Sequence, residues 1–282
     1  MSPKRNNDYI PVPAEIPREA AVELAKLSDL FRVVNDIKDL GTTILEGVRG
    51  SLPGSDYTLV AYILFTKAFK TFQAAQILSL CGYGSDALSL CASLFENVID
   101  LLYIGKAPVR RPRRFLQYEQ VAKFQQTEKM LRKKRLPRGR RAVYRSHQRS
   151  LAPQTVKLLK YFTRGQGWSG KSLSERAKAL GVKAEADYNE HYWIYCGHKH
   201  TLPMAVSGWT VEAAGGKTDL THGPDAKEVF NGVRESVGRF IQLSLIVDDS
   251  CKLSLRPHID KLSGSFMQAA TSVAQKYPEL LT

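Results

Sequence analysis

The stretch Phe65–Ile104, FTKAFKTFQAAQILSLCGYGSDALSLCASLFENVIDLLYI, decides the fold. It holds parts of two long apolar runs separated by one tight break. The first run spans Tyr57 to about Cys81, and CGYGSDA interrupts it. The second continues to Ile104, and Ser85 or Asp86 is the residue type that caps a helix start by accepting an orphan backbone N–H. Both runs are too long for strands and neither alternates with a period of two. The second contains Glu96, Asn97 and Asp100. Such polar groups suit a core helix better than a membrane span, so no membrane partner is expected.

The same helical period extends outward on both sides. Upstream, residues 1–16 read as a flexible, proline-rich lead-in, and Pro17 suits the first position of a helix. Leu24, Leu27, Phe31, Val34, Leu40 and Ile44 then mark a helix from Arg18 to about Val48. GSLPGSD (Gly50–Asp56) is a turn, with Asp56 placed to cap the next helix. Downstream, Phe115, Tyr118, Val121, Phe124 and Leu131 predict an amphipathic helix whose outer face carries Lys and Arg. RLPRGRR (Arg135–Arg141) interrupts it, and a further helix over about 142–162 contains Pro153 as a kink or break. Ser172 and Glu175 form a capping box, and Gly181 is a natural stop. A helix over 185–200 follows, then an irregular excursion at 201–224 with a short hairpin at AVSGWTVEAA. Val229, Val233, Val237, Phe240, Leu243 and Val247 mark a long helix beginning at Pro224, and a last helix covers about 257–277. The expected fold is all-α, a bundle of about seven to nine helices in one domain over 17–282, with C-terminal helices at 224–278.

Charge is concentrated. Of 41 Lys and Arg residues, 16 lie between Gly105 and Arg149 against two acidic residues there, Glu119 and Glu128. That surplus equals the net charge of the whole chain, +14, so the remainder is neutral. A focused positive field attracts a polyanion. The candidate phosphate-binding residues are Arg110, Arg111, Arg113, Arg114, Lys123, Arg132, Lys133, Lys134, Arg135, Arg138, Arg140, Arg141 and Arg145. A solvated basic surface, or one that docks an acidic protein, fits the same composition. The start of the chain has no apolar signal region. The four cysteines, Cys81, Cys91, Cys196 and Cys251, form no CxxC pair. Reduced thiols in a cytoplasm are therefore expected.

Chemistry concentrates in DYNEHYWIYCGHKH (Asp187–His200). Tyr188, Tyr192, Cys196 and His200 recur every four residues, so successive members neighbour one another on a helix. Three readings stay open: a packed core stripe, a zinc site from Cys196, His198, His200 and His191, or a pocket in which a histidine moves a proton beside tyrosine hydroxyls. The tight ligand spacing matches no standard zinc arrangement, and no metal is expected. Gly197 could end the helix and leave His198 and His200 on a loop. Glu96, flanked by the small Ala92 and Ser93, is the candidate carboxylate, facing either solvent or a polar cleft. Arg141 and His147 match the loose arginine–histidine spacing of helical ribonucleases. No Walker A, GxGxxG, HExxH or GxSxG motif occurs, so no cofactor is expected.

Read in order, the Phe65–Ile104 stretch, RRFLQYEQVAKF, SLSERAKALG and DYNEHYWIYCGHKH resemble a bacterial helical family of unknown function. Its pattern is a Gly-Tyr-x-x-Asp-Ala turn, a following Glu and a late Tyr/His helix. The resemblance covers about 58–205 and places Gly82, Tyr83, Asp86, Ala87, Glu96, Tyr188, Tyr192 and His200 on family positions. An arginine common before the Glu is Ala92 here, and a small serine position is Cys196. A distant similarity to HEPN-type bundles implies phage-defence or toxin contexts. The expectation is a nucleic-acid-directed protein, RNA before DNA, with Glu96, Tyr188, Tyr192, His198 and His200 as candidate residues of a metal-independent ribonuclease. The alternative is a non-catalytic module whose basic face docks an acidic partner. Both a monomer and a homodimer are compatible with the sequence.

Overall fold

The computed structural model describes residues 18–50, 54–133, 135–162, 167–200, 210–213, 217–220 and 225–281. The lead-in 1–16, Pro17, Lys134, Pro224 and most of the 201–224 excursion lie outside the described residues. The architecture is the all-helical one expected, apart from one two-stranded ribbon. In chain order the helices are α1 (Arg18–Ala25), α2 (Ser28–Gly50), α3 (Asp56–Leu80), α4 (Gly84–Gly105), α5 (Arg110–Leu131), α6 (Arg138–Leu159), α7 (Leu173–Leu180), α8 (Val182–Asp187) and α9 (Trp193–Lys199). The ribbon pairs β1 (Thr210–Ala213) with β2 (Lys217–Leu220) in antiparallel register, Thr210 opposite Leu220. α10 (Ala226–Cys251) and α11 (Arg256–Lys276) complete the chain, with a final 3-10 turn at Pro278–Leu280.

Several expected boundaries move by local chemistry. The helix expected from Arg18 to Val48 is two, because a turn at Lys26–Leu27 separates α1 from α2. The cap of α3 is Ser55, whose hydroxyl accepts the Thr58 N–H at 3.1 Å. Asp56 is the first helical residue and instead faces Arg113 at 3.6 Å. Of the expected hairpin at 205–214, the described part is the strand Thr210–Ala213, whose partner Lys217–Leu220 lies beyond the expected stretch, and residues 205–209 and 214 lie outside the described residues. The capping box stands: Ser172 Oγ accepts from Glu175 N, and Glu175 accepts from Ser172 N at 2.6 Å. Pro153 lies inside α6 without ending it.

The chain groups into two compact units of interleaved segments. The first comprises Met1–Gly47, Phe65–Val98 and Glu190–Thr282, the second Val48–Leu64 and Ile99–Asn189. The first unit is built round Phe240 of α10. Its ring stacks on Phe72 at 4.4 Å and lies 5.4–5.6 Å from Phe65 and Phe69. Leu27, Leu30, Val34, Ile37, Leu40 and Ile44 are sealed from water here. Their spacing of three and four is the buried stripe of an amphipathic helix. The turn before α4 belongs to the same unit. Gly82 takes φ +87°, a left-handed conformation in which a side chain is costly. Gly84 lies against the Glu228 and Val229 backbone, leaving no room for a β-carbon. Gly232 returns the fit, with space for a β-carbon only 3.0 Å from that of Ala87. The Gly-Tyr-x-x-Asp-Ala turn is thus a helix-docking device.

The second unit centres on Trp168, whose ring meets Tyr103 and Phe115 edge-on at 6.0 and 5.3 Å. Arg176 of α7 reaches Asp100 of α4 at 2.9 Å, both side chains largely buried, and donates to Ser169 Oγ and the Lys171 carbonyl. SLSERA therefore serves twice, capping α7 and clamping it to α4.

Candidate functional site

The late helix differs from the continuous one expected over 185–200. Between α8 and α9, Tyr188–Tyr192 form a π-helical turn. Four-residue spacing there no longer marks successive α-turns, which loosens the ladder argument. Gly197 stays helical and buried, and α9 runs on to Lys199. His198 therefore sits on the last turn and not on a loop. His200 is exposed just beyond it, its backbone N–H bonded to the Cys196 carbonyl at 2.9 Å.

Two pairs within the first unit tie α4 to this region. Tyr192 donates its phenol to Glu96 Oε1 at 2.8 Å, with its ring 5.4 Å from that of Phe95. Burial, then the Glu96 carboxylate, push the phenol well above its ordinary pKa, so Tyr192 is a fixed neutral donor. Glu96, expected to face either solvent or a polar cleft, is half-buried and accepts the Tyr192 phenol. The second pair is Ser85 with His198, whose Nδ1 lies 2.8 Å from the hydroxyl. Ser85 lies inside the first turn of α4, so its hydroxyl serves the imidazole where a helix cap was expected. Burial holds the His198 pKa below the ordinary histidine value, opposed by the Asp86 carboxylate. His198 is therefore neutral at pH 7. Tyr188 is half-buried at the start of the π turn and belongs to the second unit.

Sequence reasoning missed a buried charged group in the first unit. Tyr195, 1% exposed, donates its hydroxyl to Glu235 Oε2 at 2.5 Å and accepts from Arg239 Nε and Nη2 at 3.2 and 3.1 Å. Arg239 is 4% exposed, lies over the Phe95 ring at 4.9 Å and donates to Gln242. Cys91 of α4 is sealed beside this group. Burial, then Glu235, raise its thiol far above the usual range while Arg239 lowers it, and it stays protonated. The clue was available: Gly232 and Ser236 widen the apolar face of α10, and Arg239 falls inside the widened face. A buried guanidinium needs a phenol and a carboxylate to hold it.

The basic residues lie in the second unit. α5 and α6 pack as an antiparallel hairpin: Arg114, early in α5, donates to the Tyr161 carbonyl just past α6 at 2.5 Å. Arg110, Arg113, Lys123, Arg132, Lys133, Arg135, Arg138, Arg140 and Arg145 are exposed. Three of the expected residues are turned to structural work. Arg111 lies 3.7 Å over the Tyr103 ring and donates to the Tyr103 carbonyl. Arg114 also covers Phe162, and Arg141, half-buried, donates to the Lys133 carbonyl. Arg113, Lys123 and Arg132 have acidic neighbours in Asp56, Glu119 and Glu128. α6 is different in kind. It carries six Lys and Arg and no acidic residue, and Thr155 alone of its described side chains is buried. Three of its arginines, Arg138, Arg140 and Arg141, crowd its first turn, the positive end of the helix dipole.

Among the described residues, no three His, Cys, Asp or Glu side chains gather closely enough to hold a metal ion. One described helix, α4, is long and apolar enough to cross a membrane, and 67% of its apolar window is buried inside the protein. No curated protein and no solved structure matches the chain. A family model matches residues 58–215, from α3 through β1, and spans the docking turn, Glu96, the basic hairpin and the late histidines. By that match the chain belongs to a family of unknown function (DUF5677).

Proposed function

We propose that the protein binds nucleic acid, RNA before DNA, through the α5–α6 hairpin. The observation that carries this reading is α6 itself: six basic side chains, no acidic one, and Thr155 alone fully buried among its described side chains. Arginines at the positive end of a helix dipole repel it and one another. Phosphates placed there relieve both costs and also meet the free N–H groups of the first turn. The direct test is fluorescence anisotropy with a labelled RNA as salt is raised. With about six phosphates neutralised, affinity should fall about a thousandfold between 50 and 200 mM salt. The triple variant Arg138→Glu, Arg140→Glu, Arg145→Glu should keep its helical circular dichroism and lose binding. Absence of RNA binding at low salt sinks the reading. Equal binding of polyglutamate would transfer it to an acidic protein partner.

Weak ribonuclease chemistry is the second reading, favoured by the state of His198. A half-buried imidazole that is neutral at pH 7 is a competent general base, and the exposed His200 follows it two residues on. His198→Ala and His200→Ala variants, each shown to be folded, should retain RNA binding and lose cleavage of a labelled strand. Cleavage that persists in both removes this reading.

A further inference from the structure

Resting on the nucleic-acid reading, we infer that α6 tracks the phosphate backbone of a duplex and does not read bases. The inference starts from where the arginines lie round the helix. At 100° per residue, Arg138, Arg145 and Arg149 fall within about 40° of one another on one exposed flank. The packing face, which carries Tyr144, Gln148, Leu151 and the buried Thr155, lies about 100° away from that flank. Along the axis, Arg145 and Arg149 are about 6 Å apart, and Arg138 lies about 10 Å before Arg145. This is the rhythm of a row of phosphates, one contact for each helical turn and a gap where Ala142 stands. None of these three arginines has an acidic partner among the described residues, unlike Arg113, Lys123 and Arg132 in the neighbouring helix.

What the flank lacks matters as much. Proteins that hold single strands stack exposed bases on aromatic rings. In this hairpin the described Phe and Tyr rings of α5 and α6 are buried or half-buried, and the exposed imidazole of His147 lies on the side of α6 opposite the flank. Phe115 meets Trp168, Tyr118 meets Phe162, Phe124 is buried and Tyr144 is half-buried. The exposed tyrosine ring, Tyr161, lies past the far end of α6, about 30 Å from Arg138, and Lys160 covers it at 4.9 Å. The glutamines and asparagines that read base edges are also missing from the flank, which is Arg138, Ala142, Arg145, Arg149 and Val156. A row of charge on a flank without stacking platforms or base-reading groups suits a partner with its bases already stacked and its phosphates outside.

The test uses the full chain and four labelled probes: two 20-base-pair RNA duplexes of unrelated sequence, a DNA duplex of one of these sequences, and an unstructured poly(U) strand. Both RNA duplexes should bind equally, and more tightly than poly(U), at the same salt. The combined Arg138→Gln, Arg145→Gln, Arg149→Gln variant should flatten the plot of log affinity against log salt by about three units, one for each contact. All three side chains are exposed, and unchanged circular dichroism would confirm the fold. The DNA arm tells which duplex is held: equal affinity means the charge row alone is recognised, and RNA preference adds recognition of A-form shape. Tighter binding of poly(U), a strong preference between the two duplexes, or an unchanged salt slope overturns the inference while leaving nucleic-acid binding standing. No binding of any probe overturns the parent reading instead.

Discussion

At the scale of single residues, the buried triangle of Tyr195, Arg239 and Glu235 outweighs the expected histidine site in its claim on stability. The Tyr195 oxygen gives one bond to Glu235 and takes two from Arg239, so one hydroxyl serves three polar contacts. Tyr195→Phe keeps the ring and removes that oxygen. It should cost about 1–3 kcal/mol of unfolding free energy, read as a lower urea midpoint with an unchanged slope. A neutral result would show that the triangle is solvated in solution. His198 gives a pH signature. Its folded pKa is depressed by burial, so the unfolded chain binds the proton more readily. Stability is then complete above the unfolded value of about 6.5 and is lost as pH falls through the depressed folded value. His198→Gln should lose less stability than the parent between pH 7.5 and 5.5 in parallel thermal melts. Equal losses would place the acid sensitivity elsewhere. Glu96 and Tyr192 were legible one by one, as a carboxylate and a phenol at helical spacing. They were also grouped with Tyr188 and His200 in one expected cluster, but which member bonds to Glu96 was not legible, since spacing along one helix does not say which side chain another helix meets. Arg239 was hidden for the opposite reason: a charged residue in an apolar run is ordinarily assigned to solvent, and only the folded partners reverse that assignment.

At the scale of elements, glycines distinguish docking from mere permissiveness. Gly84 on α4 touches the α10 backbone, whereas Gly238 on α10 faces open space. Gly84→Ala should force the two helices apart and cost about 3 kcal/mol, at the upper end of overpacking effects. Gly238→Ala should stabilise by up to about 1 kcal/mol, because alanine is the better helix former. Chemical denaturation of both variants checks the pair, and two changes of the same sign would refute the assigned contact. The CGYGSDA break was readable from composition, and so were the capping box at Ser172 and the long apolar helices. The reason for the break was not readable: Gly82 is needed for its backbone angle, Gly84 for its neighbour. The π turn at Tyr188–Tyr192 also escaped the sequence, because one wide turn in so short a helical stretch leaves too few residues on either side to show a shift of phase. The charge of α6 was the plainest signal of all. That Arg111 and Arg114 would turn inward onto Tyr103 and Phe162 was not, since a run of arginines carries no mark of which ones meet a ring.

At the scale of the whole molecule, the chain order and the spatial grouping disagree. The first unit takes Met1–Gly47, returns for Phe65–Val98 and closes with Glu190–Thr282, while the second is assembled from what lies between. Every passage from one unit to the other falls inside or beside a helical segment, at Gly47–Val48, Leu64–Phe65, Val98–Ile99 and Asn189–Glu190. The consequence appears during synthesis. A ribosome delivers the material of the second unit in full by Asn189, when the first unit still lacks α9, α10 and the Phe240 ring round which its core is built. Until α10 emerges, Phe65, Phe69, Phe72 and Gly84 wait without the surface they pack against. A nascent chain paused between the two stages would therefore present a basic hairpin already made and an apolar face still open. That is the state in which a chaperone would first meet this protein.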